Sequence, residues 1–129
     1  MINVACVVIE FDGLIAIAQR GQGRDEGFWE FPGGKQLPEE TILECAEREI
    51  REELKLDITA KEVLFTTTHN VEKYGKLVLR YVRATVTSWR PVLSEHSDIR
   101  LVRLEELKQF QFTSGDEEFV NLLSSKSLP

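Results

Sequence analysis

Apolar and polar positions divide the chain into short extended runs and two helical stretches. Val4-Ala5-Cys6-Val7-Val8-Ile9 is apolar and largely β-branched, as a central strand would be. Phe11-Asp12-Gly13 supplies a turn, and Leu14 to Arg20 returns as a second strand. The polar stretch from Gly21 to Gly27 carries three glycines and reads as a mobile loop. Phe28-Trp29-Glu30-Phe31 is extended because Pro32 follows, and Gly33-Gly34 is a tight backbone feature. Pro38-Glu39-Glu40-Thr41 opens a helix, with Thr41 and Glu44 spaced as a capping box and Ile42, Ala46, Ile50 and Leu54 as its apolar stripe. That helix ends near Leu54 or Lys55. Further strands are expected over Lys61–Thr68, Leu77–Thr87 and Ile99–Arg103, the second entered through a turn at Tyr74-Gly75-Lys76. A brief helical turn at Leu104–Leu107 and an amphipathic helix from about Asp116 to Leu123 complete the pattern, and Ser124 to Pro129 is expected to fray. Many strands and two helices without regular alternation predict an α/β sandwich, a mixed sheet with helices against it, and not a doubly wound fold.

Length adds that 129 residues make one domain, 1–129. No apolar run is long enough to span a membrane, and the first residues lack a secretory signal's basic and apolar segments, so a cytoplasmic location is expected by elimination. Cys6 and Cys45 have no metal-ligand spacing and read as small buried hydrophobes. The net charge of -6 and the lack of a basic stripe speak against a long nucleic acid as partner. A small anionic substrate remains compatible. Monomer and homodimer are both open.

Candidate chemistry sits in Arg48-Glu49-Ile50-Arg51-Glu52-Glu53. Glu49 and Glu53 fall one helical turn apart on one face, with Glu52 offset to the side of the same stripe. Like charges at this spacing destabilise a helix by a few tenths of a kcal/mol, so a compensating cation is called for. Hard divalent ions such as Mg²⁺ or Mn²⁺ prefer carboxylate and phosphate oxygens. A solvated acidic face is the plainer reading. Arg48 and Arg51, placed to pair with these acids, and the preceding glycine pair weigh against it.

Gly34, five residues, Glu40, seven residues, then Arg48-Glu49-Ile50-Arg51-Glu52-Glu53-Leu54-Lys55-Leu56 resembles the Nudix box, departing from it only at Lys55, where the box has glycine. The wider chain is similar to small MutT-like members. The resemblance implies a Nudix-type α/β/α sandwich and Mg²⁺-dependent hydrolysis (Mn²⁺ a possible substitute) of a nucleoside triphosphate to monophosphate and pyrophosphate. Its substrate would be an oxidised purine such as 8-oxo-dGTP or a pyrimidine such as CTP or dCTP. It implies Glu49, Glu52 and Glu53 as metal-binding carboxylates, completed by the Gly33 carbonyl. Arg48 holds the helix acids, Glu40 supports them, and Glu95 is a further ligand or the base. Glu52 or Glu53 could equally be that base. The missing glycine implies strain at a helix C-terminus, with Lys55 shifting the cap or bearing a left-handed conformation.

Specificity would come from elsewhere. Phe28 and Phe31 are candidates for a base-pocket wall, with Phe112 opposite, or they are core aromatics. Asp116 aligns with a position that relatives use to read the base edge, or is an exposed helix cap. Arg20 resembles an arginine directed at phosphate or sugar, or forms a surface ion pair. Lys35 could touch phosphate or be solvated. His69 and His96 read as ordinary loop or strand-end residues. Hydrolysis of a dinucleoside polyphosphate or nucleotide sugar is the alternative activity. A non-catalytic nucleotide-binding module is disfavoured because all three box carboxylates are present.

Overall fold

The structure, a computed structural model, describes residues 1–73 and 75–125. Its strands are β1 (Ile2–Phe11), β2 (Leu14–Arg20), β3 (Trp29–Glu30), β4 (Gly33–Lys35), β5 (Thr59–Val71), β6 (Gly75–Thr85) and β7 (His96–Val102), and its helices are α1 (Ile42–Leu54) and α2 (Ser114–Ser125). A 3₁₀ helix over Leu104–Gln109 extends the expected turn at Leu104–Leu107. The strands form one mixed sheet of order β3-β2-β1-β6-β5, with β4 on β1 and β7 on β2. Only β1 and β6 run parallel among these pairs; the others are antiparallel.

The uninterrupted apolar run of β1 is explained by helices on both faces of the sheet. Its odd positions Ala5, Val7 and Ile9 join one core with Cys45, Ala46, Ile50 and Leu54 of α1. Its even positions Cys6 and Val8 join the other with Phe119, Val120 and Leu123 of α2. β6 splits the same way, Val82 and Ala84 toward α1, Leu79 and Tyr81 toward α2. This period-two division builds the expected α/β/α sandwich. Both cysteines are buried and free.

Local chemistry fixes the element ends. Asp12 and Gly13, at φ 53° and 77°, form the two-residue turn that pairs Phe11 with Leu14. Thr41 caps α1 through the expected box: its hydroxyl accepts from the Glu44 N–H (3.1 Å) and its own N–H donates to Glu44 Oε1 (2.8 Å). The helix starts at Ile42 and not at Pro38, because Leu37–Glu40 closes a turn in which Glu40 Oε1 accepts from the Leu37 N–H. Cys45 takes a fully buried place on its inner stripe while Ile42 is only partly buried.

β1, β5 and β7 are longer than their apolar cores suggested, since backbone pairing continues beyond them. Strand β6 starts earlier than expected and ends at Thr85, where its pairing with β5 ends. Helix α2 begins two residues before Asp116 and includes Ser124 and Ser125; the rest of the expected frayed tail, and Tyr74 of the expected turn, lie outside the described residues.

Lys55 stands in the left-handed region at φ 57°, ψ 36°, with its N–H on the Arg51 carbonyl and its ammonium on the Glu52 carbonyl (3.1 Å). It bears the strain expected where the box has glycine. Lys55→Gly should stabilise the protein by about 1 kcal/mol, the cost of a side chain in that conformation, as read from the denaturant midpoint at constant m-value. A midpoint that falls would show that the ammonium–carbonyl bond outweighs the strain.

Candidate active site

Helix α1 and strand β4 are neighbours across β1, and the contact is set by glycine. A Cβ at Gly33 would overlap the Ala5 carbonyl, and one at Gly34 would enter the Glu49 carboxylate. The absent side chains let the backbone of β4 lie directly beside Glu49.

Arg48 organises the acids. Its Nε and Nη2 grip both oxygens of Glu40 (2.9 and 2.7 Å), Nη2 also donates to the Lys35 carbonyl (3.0 Å), and Nη1 reaches Glu49 (3.3 Å) and Glu52 (3.1 Å). Arg48's hydrogen bonds to Glu40 hold that carboxyl down at about 2. Glu52 is largely exposed, its side chain 60% accessible against 15% for Glu49. Glu53 points inward. Its Oε1 is buried and has no hydrogen-bond partner. Burial first, then the charges of Glu49, Glu95 and Glu30, push its carboxyl up to about 8. Burial also raises Glu49, opposed by Arg48 and reinforced by Glu52, and Glu49 and Glu53 are close enough to share a hydrogen bond.

A cleft of about 870 Å³ opens beside this cluster. Gly33, Gly34, Lys35, Glu53, Glu95, Arg20, Glu30, Phe31, His96 and Asp116 are among the residues that line it. Asp116 is 5% exposed, so it is not an exposed cap. Its Oδ2 accepts from the Phe31 N–H (2.9 Å) and its Oδ1 from the Tyr81 hydroxyl (2.6 Å). Burial pushes it up to about 6 against the pull of those two donors. Arg20 is paired: Nη1 meets Glu30 Oε1 at 2.8 Å and Nε donates to the Arg24 carbonyl. Phe28 lies outside the cleft, on a separate hollow with Lys108 and Phe110. Phe112 stacks behind Phe31 (5.5 Å, 24°) and shares that hollow. Of the three phenylalanines, only Phe31 is on the cleft wall.

Sequence reasoning misses Glu30, Ser94 and Tyr81. Glu30 had one visible signal, a carboxylate between two large aromatics. His96 opens β7 and His69 lies near the end of β5, strand-end positions as expected, and both line the cleft.

The donor set suits a hard divalent cation: a buried, unpartnered carboxylate oxygen, a second carboxylate beside it, and backbone brought close by two glycines. Among the described residues no three side chains already enclose a cation, and Glu52 is turned to Arg48.

Three comparisons bear on this geometry. The family model for the NUDIX domain matches residues 1–123. The CTP pyrophosphohydrolase of Escherichia coli (strain K12) is 40% identical over 79 residues, which is 60% of this chain and 57% of that protein. Thus the match spans little more than half of that relative's length. The 8-oxo-dGTP diphosphatase of Proteus vulgaris is 34% identical over 92 residues, 70% of this chain and 80% of that one. The solution structure of the E. coli ORF135 protein superposes with a TM-score of 0.81 at 30% identity, covering 100% of this chain and 95% of that one.

The raised carboxyls have a consequence for stability. Glu53 and Asp116 keep their protons in the folded state at pH values where the unfolded chain has released them. Their contribution is therefore full below the ordinary carboxylate range and is lost as pH rises to about 8. Chelator-treated protein should lose melting temperature steadily over that window, and Glu53→Gln should flatten the slope and melt higher than the parent at its alkaline end. A variant that melts lower there would mean that Glu53 is not strained by its neighbours.

Proposed function

The chain belongs to the NUDIX family, and from that premise we propose that it hydrolyses a nucleoside triphosphate to the monophosphate and pyrophosphate. The reading is carried by one observation: the buried, unpartnered Glu53 oxygen beside Glu49 shares a cleft with Asp116. The carboxylates suit a polyphosphate with its cations, and Asp116 suits a base. The related CTP pyrophosphohydrolase and 8-oxo-dGTP diphosphatase support the substrate class.

NUDIX hydrolases generally need divalent metal ions, and Mg²⁺ is the ion proposed here, with Mn²⁺ able to replace it. Glu49 and Glu53, Glu52 once released from Arg48, the Gly33 carbonyl and Glu95 would hold it. The cation supplies neutralisation of phosphate charge and a more acidic water. Arg48 keeps Glu49 oriented while Glu40 anchors its guanidinium. Glu53, whose buried oxygen has no other partner, and Glu95 are the candidates to take a proton from the attacking water. Arg20 and Lys35 face the same cleft and provide cations for the phosphates or sugar.

At the base end, the Tyr81 hydroxyl and the Phe31 N–H both donate to Asp116, which favours its role as an acceptor. An acceptor suits an amino-bearing edge, so CTP and dCTP are the favoured substrates. The oxidised guanine triphosphate is the second reading, favoured by the Proteus relative and by the N–H groups such a base presents. A small nucleotide is the partner proposed.

Glu53→Gln should remain folded and lose about 100-fold or more of kcat, the scale expected when a general base is removed. Undiminished metal-dependent turnover would contradict the assignment. Asp116→Ala should reorder kcat/KM among CTP, UTP and 8-oxo-dGTP. An unchanged ranking would leave Asp116 with only its structural bonds to Phe31 and Tyr81.

A further inference from the structure

Glu95 and Glu53 line the same cleft, yet two carboxylates repel. No attraction between them holds Glu95 in place. What does hold it is on either side in sequence. The Ser94 hydroxyl donates to the Glu53 carbonyl (3.0 Å), and the Val92 N–H donates to the Leu54 carbonyl (2.9 Å). Both carbonyls belong to the last turn of α1, where no further helical N–H is available. The Glu95 backbone is pressed against Gly21, where a Cβ would overlap its carbonyl oxygen.

His96 follows, its side chain only 6% exposed, with Nε2 2.8 Å from Glu30 Oε2. Glu30 is held as an ionised acceptor by His96 and Arg20, so Nε2 carries the hydrogen. Pairing of β7 with β2 is irregular at this point: Gln19 faces Asp98, but Arg20 faces His96, which leaves Ser97 as an extra residue. The bulge puts His96 opposite Arg20, and both reach the two oxygens of the one Glu30.

We propose that Ser94 and His96, the latter through Glu30, are positioning residues that clamp Glu95 against Glu53 for the hydrolytic step. The proposal rests on Glu95 being a working carboxylate of the site. The clamp joins three parts of the chain, the end of α1, the end of β2 with Gly21, and β3, at three consecutive residues. Ser94 and His96 act only through Glu95, so their loss should matter only while Glu95 has its carboxylate.

A double-mutant cycle tests this. His96→Leu should lower kcat about tenfold or more, as misplacement of a reacting group does, with little change in nucleotide KM. His96→Gln, which restores an N–H donor for Glu30, should recover most of the loss. In a Glu95→Gln background neither His96→Leu nor Ser94→Ala should lower kcat further. Calorimetric titration of nucleotide-free protein with Mn²⁺ should follow the same pattern, each clamp variant reproducing the effect of Glu95→Gln and adding nothing to it. Losses that multiply with Glu95→Gln would overturn the clamp while leaving the activity assigned. Full turnover in Glu95→Gln itself would overturn the reading of Glu95 and the clamp with it. Should His96→Leu fail to fold, Ser94→Ala, which removes one exposed hydroxyl, carries the same cycle.

Discussion

Glu53 has a carboxylate oxygen buried without a partner, next to Glu49 and within reach of the charges on Glu95 and Glu30, and the surrounding fold is arranged to sustain that repulsion. An isolated helix would turn such side chains to water. Here α1 is anchored on one face of the sheet by Cys45, Ala46, Ile50 and Leu54, so Glu49 and Glu53 are held toward β4 and the cleft. The capping box fixes its start, and the left-handed Lys55 with the bonds from Val92 and Ser94 fixes its end. Arg48 takes part of the negative charge, and Glu40 in turn holds Arg48 with a two-point grip. A buried charge cluster that costs stability is a familiar compromise between fold and function.

The same sheet supplies the other end of the cleft. Because β1 and β6 divide their side chains between two cores, Tyr81 is directed to the α2 side, where its hydroxyl meets Asp116 at the start of α2. Phe31 contributes both its ring to the wall and its N–H to the same carboxylate. Asp116 and the α1 carboxylates are therefore positioned by the same sheet.

What could be read from the sequence was what depends on local spacing. The capping box, the Glu49/Glu53 face, the Asp12-Gly13 turn and the strained residue after α1 all follow from positions within one or two turns of each other. The Glu30–His96 and Ser94–Glu53 contacts escape a sequence reading because their partners are 66 and 41 residues apart. The bulge at Ser97 also disturbs the alternation by which a strand's faces are assigned. Phe28 and Phe112 lie off the cleft. In the fold Trp29 and Phe31 take the inward positions of that stretch, and Phe112 backs Phe31.

The central claim, that this carboxylate cluster cuts a triphosphate between its α and β phosphorus atoms, is tested most directly by ³¹P NMR of the products. CTP, dCTP and 8-oxo-dGTP would each be incubated with the protein and Mg²⁺, with and without excess chelator. The account predicts monophosphate and pyrophosphate from at least one of them, and no turnover with chelator. Release of inorganic phosphate and a diphosphate, or no reaction of any of the three with Mg²⁺ present, would contradict it.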